Sequence, residues 1–216
     1  MNAFLIYAPK KGSELPRHLI ELGYIGYKYN NSIADMSEEK TPVPEATLLE
    51  NKLFLNKSFD SLEQRSYGKR IEDRLELSFV EALYLVERRK IVVKKSKKKV
   101  GFKDLMELGL KFDKRLHERY TVYKDLRGRG LVVKTGFKFG CDFRVYKRGV
   151  LVKRGPKAPT EHTRWIVYCV PEDYTCSFQE LSRAVRLAHS IRATMLWAIV
   201  DNENDITYYE IMRQLL

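Results

Sequence analysis

The stretch from Val133 to Tyr146 constrains the chain most. Two short runs that favour β structure, Gly130–Thr135 and Phe143–Tyr146, flank Gly136 and Gly140. The first is rich in valine. The second alternates apolar and polar residues, as a strand with one buried face requires. Two glycines between such runs call for a tight reversal or bulge where backbone passes close to another part of the chain. A sheet must therefore form here, and its second run is expected to end on an exposed Tyr146. The next segment, Lys147–Pro159, reads as a loop from Gly149, Gly155, Pro156 and Pro159. It carries Lys147, Arg148, Lys153, Arg154 and Lys157. His162 then precedes a strand from Trp165 to Val170. A Tyr and a His at the two ends of a cationic loop are candidate acid–base groups for chemistry on RNA. Spacing alone equally allows two structural side chains at strand ends.

The charge balance narrows the partner. Forty Lys and Arg against 28 Asp and Glu give a formal net charge of +12, which fits a polyanion, nucleic acid ahead of a membrane surface. No apolar run reaches the roughly 20 residues of a membrane span. The 216 residues are 44% hydrophobic and 31% charged, enough to bury the core of one large domain or two modest ones. Cys141, Cys169 and Cys176 lack metal-site spacing. Their odd number, with no secretory leader, leads us to expect a reducing cytoplasm. No metal or cofactor site is expected.

Elsewhere the signals are local. Ala3–Ala8 reads as a strand, Leu15–Leu22 as a short helix and Ser37–Pro44 as a linker. Glu50–Phe59 reads as a strand pair turning near Asn56-Lys57. Ser78 with Glu81, and Ser177 with Glu180, have the capping-box pattern that opens a helix; the second helix runs to about Ser190. Lys94–Lys99 is a charge run, either a solvated hairpin tip or a phosphate contact. Leu105, Leu108, Phe112 and Leu116 fall at helical spacing, so one helix is expected from Phe102 to Arg119. Met195–Val200 reads as a buried strand, Asp201–Asp205 as an acidic turn, and Ile206–Met212 as a last strand at the sheet edge.

Several of these stretches occur together in one known family. Gly136–Tyr146, Glu161-His162 before Trp165-Ile166-Val167, Val185–Arg192, and Ala198–Asp201 through Asp205–Tyr209 resemble the archaeal tRNA-splicing endonuclease. Leu77–Leu85 resembles a helix of its N-terminal domain. The resemblance runs from about Lys52 to Leu216. It implies an α/β fold: a small α/β N-terminal domain, then a C-terminal nuclease domain with a mixed central sheet flanked by helices. The expected division is 1–45 as an extension, 46–115 as the N-terminal domain and 116–216 as the catalytic domain.

The resemblance also implies the activity, which is metal-independent excision of introns from precursor tRNA at bulge-helix-bulge sites. The ends are a 2′,3′-cyclic phosphate and a 5′-hydroxyl. RNA supplies its own 2′-hydroxyl nucleophile, so the reaction needs a base, an acid and a cation for the phosphorane. The family's base matches Tyr146 and its acid His162. Its lysine falls at Ala193, and no lysine occurs from Ser177 to Leu216. The chain is therefore either an impaired subunit or a variant of an active one. Arg186 matches an arginine that stacks on a bulged base; Tyr208 or Tyr209 is the candidate for the second stacking group. Lys153, Arg154 and Lys157 are expected to touch RNA. Asp201 and Asp205 match a loop that inserts into another subunit, so a homo-oligomer or a hetero-oligomer with a related subunit is expected. The alternatives are a non-catalytic RNA-binding or assembly subunit and, from charge alone, a DNA-binding module.

Overall fold

The computed structural model describes residues 3–7, 43–136, 140–152 and 161–214. Twelve strands among them form two six-stranded sheets. The N-terminal domain holds β2 (Glu45–Leu49), β3 (Lys52–Leu55), α1 (Asp60–Gln64), β4 (Lys69–Ile71), β5 (Arg74–Leu77), α2 (Phe79–Glu87), β6 (Val92–Lys95), β7 (Lys98–Val100) and α3 (Phe102–Leu110). Its sheet has the order β4-β5-β3-β2-β6-β7, with β2 and β6 parallel. The C-terminal domain holds α4 (Leu116–Gly128), β8 (Val132–Thr135), β9 (Phe143–Tyr146), β10 (Trp165–Pro171), α5 (Phe178–Ser190), β11 (Thr194–Val200) and β12 (Ile206–Gln214). Its order is β1-β12-β11-β10-β9-β8, where β1 is Ala3–Tyr7. The β10–β11 pair is parallel, through the α5 crossover, and the other pairs are antiparallel. The fold is thus α/β with mixed sheets and flanking helices.

Both capping boxes form. Ser78 Oγ accepts the Glu81 amide while Glu81 Oε2 accepts the Ser78 amide at 3.0 Å. The Ser177–Glu180 pair repeats this at 3.2 and 2.9 Å. Gly136 behaves as its spacing requires: a Cβ there would overlap Cys141 Sγ and lie 2.7 Å from the Cys141 carbonyl oxygen.

Three expectations are corrected. The helix expected over Phe102–Arg119 is two helices, because the Asp113 carboxylate accepts the Arg115 amide at 3.1 Å and redirects the chain into α4. Phe112, in the break, is 59% exposed. The β2–β3 turn falls at Glu50-Asn51, with Glu50 at φ 52°, rather than near Asn56-Lys57. The last strand is not the sheet edge, since β1 pairs antiparallel with Glu210–Gln214. The helix expected at Leu15–Leu22 and the linker Ser37–Pro44 fall mainly outside the described residues.

One apolar cluster runs from the N-terminal sheet through α2 and α4 to one face of the C-terminal sheet. Aromatic rings join its layers: Tyr84 meets Tyr123 edge-on at 5.6 Å, and Tyr123 meets Phe143 at 5.7 Å. A second cluster packs α5 on the other face, with Leu181, Ala184, Val185 and Ala188 against Ile166, Met195 and Trp197. Polar links also cross between the domains. Lys134 Nζ donates to the carbonyls of Ser66 and Gly68, and burial pushes its amine down. Within the N-terminal domain, Glu81, used in the first capping box, also accepts the Gly68 amide at 2.8 Å.

Candidate active site

Strand register brings the candidate groups to one end of the C-terminal sheet. Val145, Trp165 and Thr194 lie opposite one another on β9, β10 and β11. The next row in one direction across the sheet is therefore Tyr146, Arg164 and Ala193, the last two preceding their strands. Arg164 ties this row together through its backbone: its amide donates to Val145 O at 2.8 Å, and its carbonyl accepts the Thr194 amide at 2.9 Å. His162 is exposed, two residues before Arg164, in the bend that leads into β10. Side chains alternate along strands. The row therefore continues the face of Ile166 and Met195, which α5 covers, and not the face of Val145 and Trp165. The Ala193 amide donates to Ala188 O at 2.9 Å, which fixes the approach to β11 against the end of α5.

Tyr146 corrects the sequence reading: it is fully buried rather than exposed at its strand end. Arg164 is the group that sequence reading missed. It is an exposed cation in the row that contains Ala193, and its guanidinium carbon lies 5.6 Å from the Trp165 ring centroid. Its position two residues after His162 was the available signal.

The remaining candidates are spread out. Arg186 is exposed on α5, beside Phe178, Gln179, Ser182 and Arg183 along a shallow groove, and its Nε donates to Ser182 O at 3.4 Å. Four residues separate it from the helix end, about 6 Å along the axis. Tyr208 is committed elsewhere: its hydroxyl donates to Asp125 Oδ2 at 2.8 Å, and burial with that carboxylate beside it pushes the phenol well up. It is therefore not available as a stacking group. Tyr209 packs partly buried against the α5-side cluster. Lys153, Arg154 and Lys157 lie outside the described residues. Of the preceding stretch, Val150 and Val152 are held by the N-terminal domain: Ser66 Oγ donates to Val150 O at 3.3 Å and accepts the Val152 amide at 3.2 Å.

Asp201 and Asp205 occupy the opposite end of β11, about 25 Å from Ala193 at strand rise. Asp201 Oδ1 accepts the amides of Glu203 and Asp205 at 3.0 and 2.8 Å, so its carboxylate builds the turn, while Asp205 is exposed. At this end Asn204 Oδ1 meets His117 Nε2 at 2.6 Å. The buried Asp142 accepts the Cys169 amide at 2.8 Å and an Arg115 nitrogen at 3.4 Å. Arg119 Nε lies 3.1 Å from the same Asp142 oxygen, an ion pair without hydrogen-bond alignment. Burial opposes the Arg119 charge, and Asp142 and Asp113 outweigh it and raise the guanidinium. Among the described residues, no group of three His, Cys, Asp or Glu side chains is placed to hold a metal ion.

Residues 116–208 match the family model for the catalytic C-terminal domain of tRNA intron endonuclease, and residues 45–106 match that for its N-terminal domain. The chain belongs to the tRNA intron endonuclease family. A tRNA-splicing endonuclease of Thermococcus gammatolerans is 45% identical over 148 residues, which are 68% of this chain and 83% of the relative. One of Methanococcus vannielii is 36% identical over 178 residues, 82% and 97%. One of Methanothermobacter thermautotrophicus is 42% identical over 143 residues, 66% and 79%. The Tyr146–Arg164–Ala193 row and His162 lie within the segment matched to the family's catalytic domain. β1 lies outside both matched segments, yet it completes the sheet of that domain. No described helix is long and apolar enough to cross a membrane.

Proposed function

We propose that the chain cuts precursor tRNA at bulge-helix-bulge junctions, leaving a 2′,3′-cyclic phosphate and a 5′-hydroxyl. The observation that carries this reading is the register that puts Tyr146 and Ala193 in one row, with His162 two residues beyond its centre. Tyr146 takes the 2′-hydroxyl proton as the oxygen attacks phosphorus. His162, exposed at the entrance to β10, protonates the departing 5′-oxygen. Tyr146 is covered in the free chain, so the reaction requires that its cover be displaced when RNA binds. At Ala193 a methyl group occupies the position where the family places a cation on the phosphorane oxygens. Loss of one such charge-stabilising group costs on the order of 10²–10³ in rate, so this chain has reduced activity. Arg186 holds an unpaired base beside the cut. Lys153, Arg154 and Lys157 contact RNA phosphates next to the site. The acidic turn Asp201–Asp205, on the far end of the sheet, contacts another subunit.

The test is Ala193→Lys. Cleavage of a bulge-helix-bulge RNA should rise by about 10²-fold or more, with the cyclic phosphate on the upstream product. Adding Tyr146→Phe or His162→Ala to that variant should remove the gain. No gain in a folded Ala193→Lys chain that still binds the RNA would instead favour a non-catalytic RNA-binding subunit.

A further inference from the structure

The β6–β7 hairpin of the N-terminal domain carries a charge arrangement that works against its own folding. Five of the six residues Lys94–Lys99 are lysines. The strand register sets Lys94 opposite Lys99 and Lys95 opposite Lys98. Like charges directly opposed across an antiparallel pair are destabilising. The turn adds to the conflict: Ser96 and Lys97 take φ of 49° and 67°, a two-residue turn whose left-handed positions favour Asn and Gly. Glu45 pairs with Lys94 at 2.6 Å, and no salt bridge forms at Lys95, Lys97, Lys98 or Lys99 among the described residues. These four side chains are exposed.

Edge protection explains part of this. β7 is the last strand of its sheet, and lysine on an edge strand discourages pairing with another chain. That purpose is served by Lys98 and Lys99. It does not call for Lys95 opposite Lys98, nor for Lys97 in a left-handed turn. Locally unfavourable choices of this kind concentrate where function demands them.

Resting on the reading of the chain as a precursor-tRNA nuclease, we propose that the Lys94–Lys99 hairpin is an accessory phosphate-binding arm that grips the RNA backbone away from the cleavage site. Its ligand is the sugar–phosphate backbone, read by charge and not by sequence. The arm belongs to the N-terminal domain, so the substrate is held by both domains. The repulsion between opposed lysines is relieved when phosphates come between them.

The decisive variant is Lys95→Glu with Lys99→Glu. It turns both opposed pairs into opposite-charge pairs and keeps charged side chains along the edge. The hairpin is expected to become more stable while RNA binding weakens. Binding of a bulge-helix-bulge RNA, followed by fluorescence anisotropy from 50 to 300 mM salt, should be about tenfold or more weaker near 0.1 M. The slope of log affinity against log salt should be shallower by about two units. A control with the same net charge change, Lys57→Glu with Lys90→Glu, should lose less affinity and keep the parent slope. Lys97→Gly should also raise thermal stability and lower the slope by about one unit. Higher stability with unchanged affinity and slope would reduce the hairpin to an edge guard and overturn the proposal. Equal losses in variant and control would also overturn it, because the effect would then be one of net charge. If the parent chain itself failed to bind the RNA, the functional reading would fall together with the arm.

Discussion

Asp142→Asn isolates the contact that fastens α4 to the start of β9. The native carboxylate is 4% exposed and takes three contacts: the Cys169 amide at 2.8 Å, Arg119 at 3.1 Å and Arg115 at 3.4 Å. The amide keeps the shape and one acceptor for Cys169. It removes the charge and turns its own NH2 towards both guanidiniums, which share the other carboxylate oxygen. Removing one partner of a buried pair typically costs about 3–5 kcal/mol. Two features reduce this. Arg119 keeps Asp113 at 2.6 Å, and the Arg115 side chain is 48% exposed, so water takes over part of its solvation. The expected loss is about 2–3 kcal/mol, or roughly 4–12 °C in melting temperature for a chain of this size. Urea unfolding of the parent, Asp142→Asn, Arg119→Met and the double variant measures it. A coupling energy of about 1 kcal/mol or more between the two positions is expected, since they are in contact. A single-variant loss under about 0.5 kcal/mol, or no coupling, would refute the view that this carboxylate fastens α4 to the start of β9.

Two further outcomes follow from the geometry. Burial, with Asp142 beside it, pushes the Cys141 thiol from 9.0 up to about 11. The folded state therefore favours the neutral thiol, and this contribution is full below pH 9 and fades between pH 9 and 11. The stability advantage of the parent over Cys141→Ala should shrink across that window, and a constant difference in urea unfolding would refute it. Asp205 is exposed and lends the acidic turn only its backbone, so under the proposed subunit contact Asp205→Lys weakens association without loosening the turn. Sedimentation velocity unchanged from the parent would rule out this turn as a subunit contact.

What was legible in the sequence was local. Ser78 with Glu81 and Ser177 with Glu180 announce their helices because a cap is satisfied within three residues. Gly136 announces a close approach because no other residue fits beside Cys141. The lysine run lies across a hairpin because β-branched residues end it on one side and Val100 on the other. The misread boundary at Lys111–Arg115 hid behind apolar residues at helical spacing: Asp113 breaks the helix with one side-chain bond, which outweighs a periodicity that Phe112 only continues in appearance. The role of Asp142 was not legible. Its partners, Arg115, Arg119 and Cys169, are distant in sequence, and an aspartate before a strand reads as a turn residue. The pairing of β1 with β12 was hidden for the same reason, since it joins the two ends of the chain.

The candidate site was legible for residue types and misread for environment. Alternation assigns Tyr146 to the face opposite Val145. Whether such a position is exposed depends on what covers the face, which a strand's own sequence does not state. The register supplies the rest. A slip of one residue between β9 and β10 would send every side chain of one strand to the wrong face, and apolar layers on both faces of this sheet resist it. The pairing is further held at both ends of β10: Asp142 takes the Cys169 amide, and the Arg164 backbone bonds Val145 and Thr194. The alignment of Tyr146, Arg164 and Ala193 is therefore a consequence of the core and the backbone ladder.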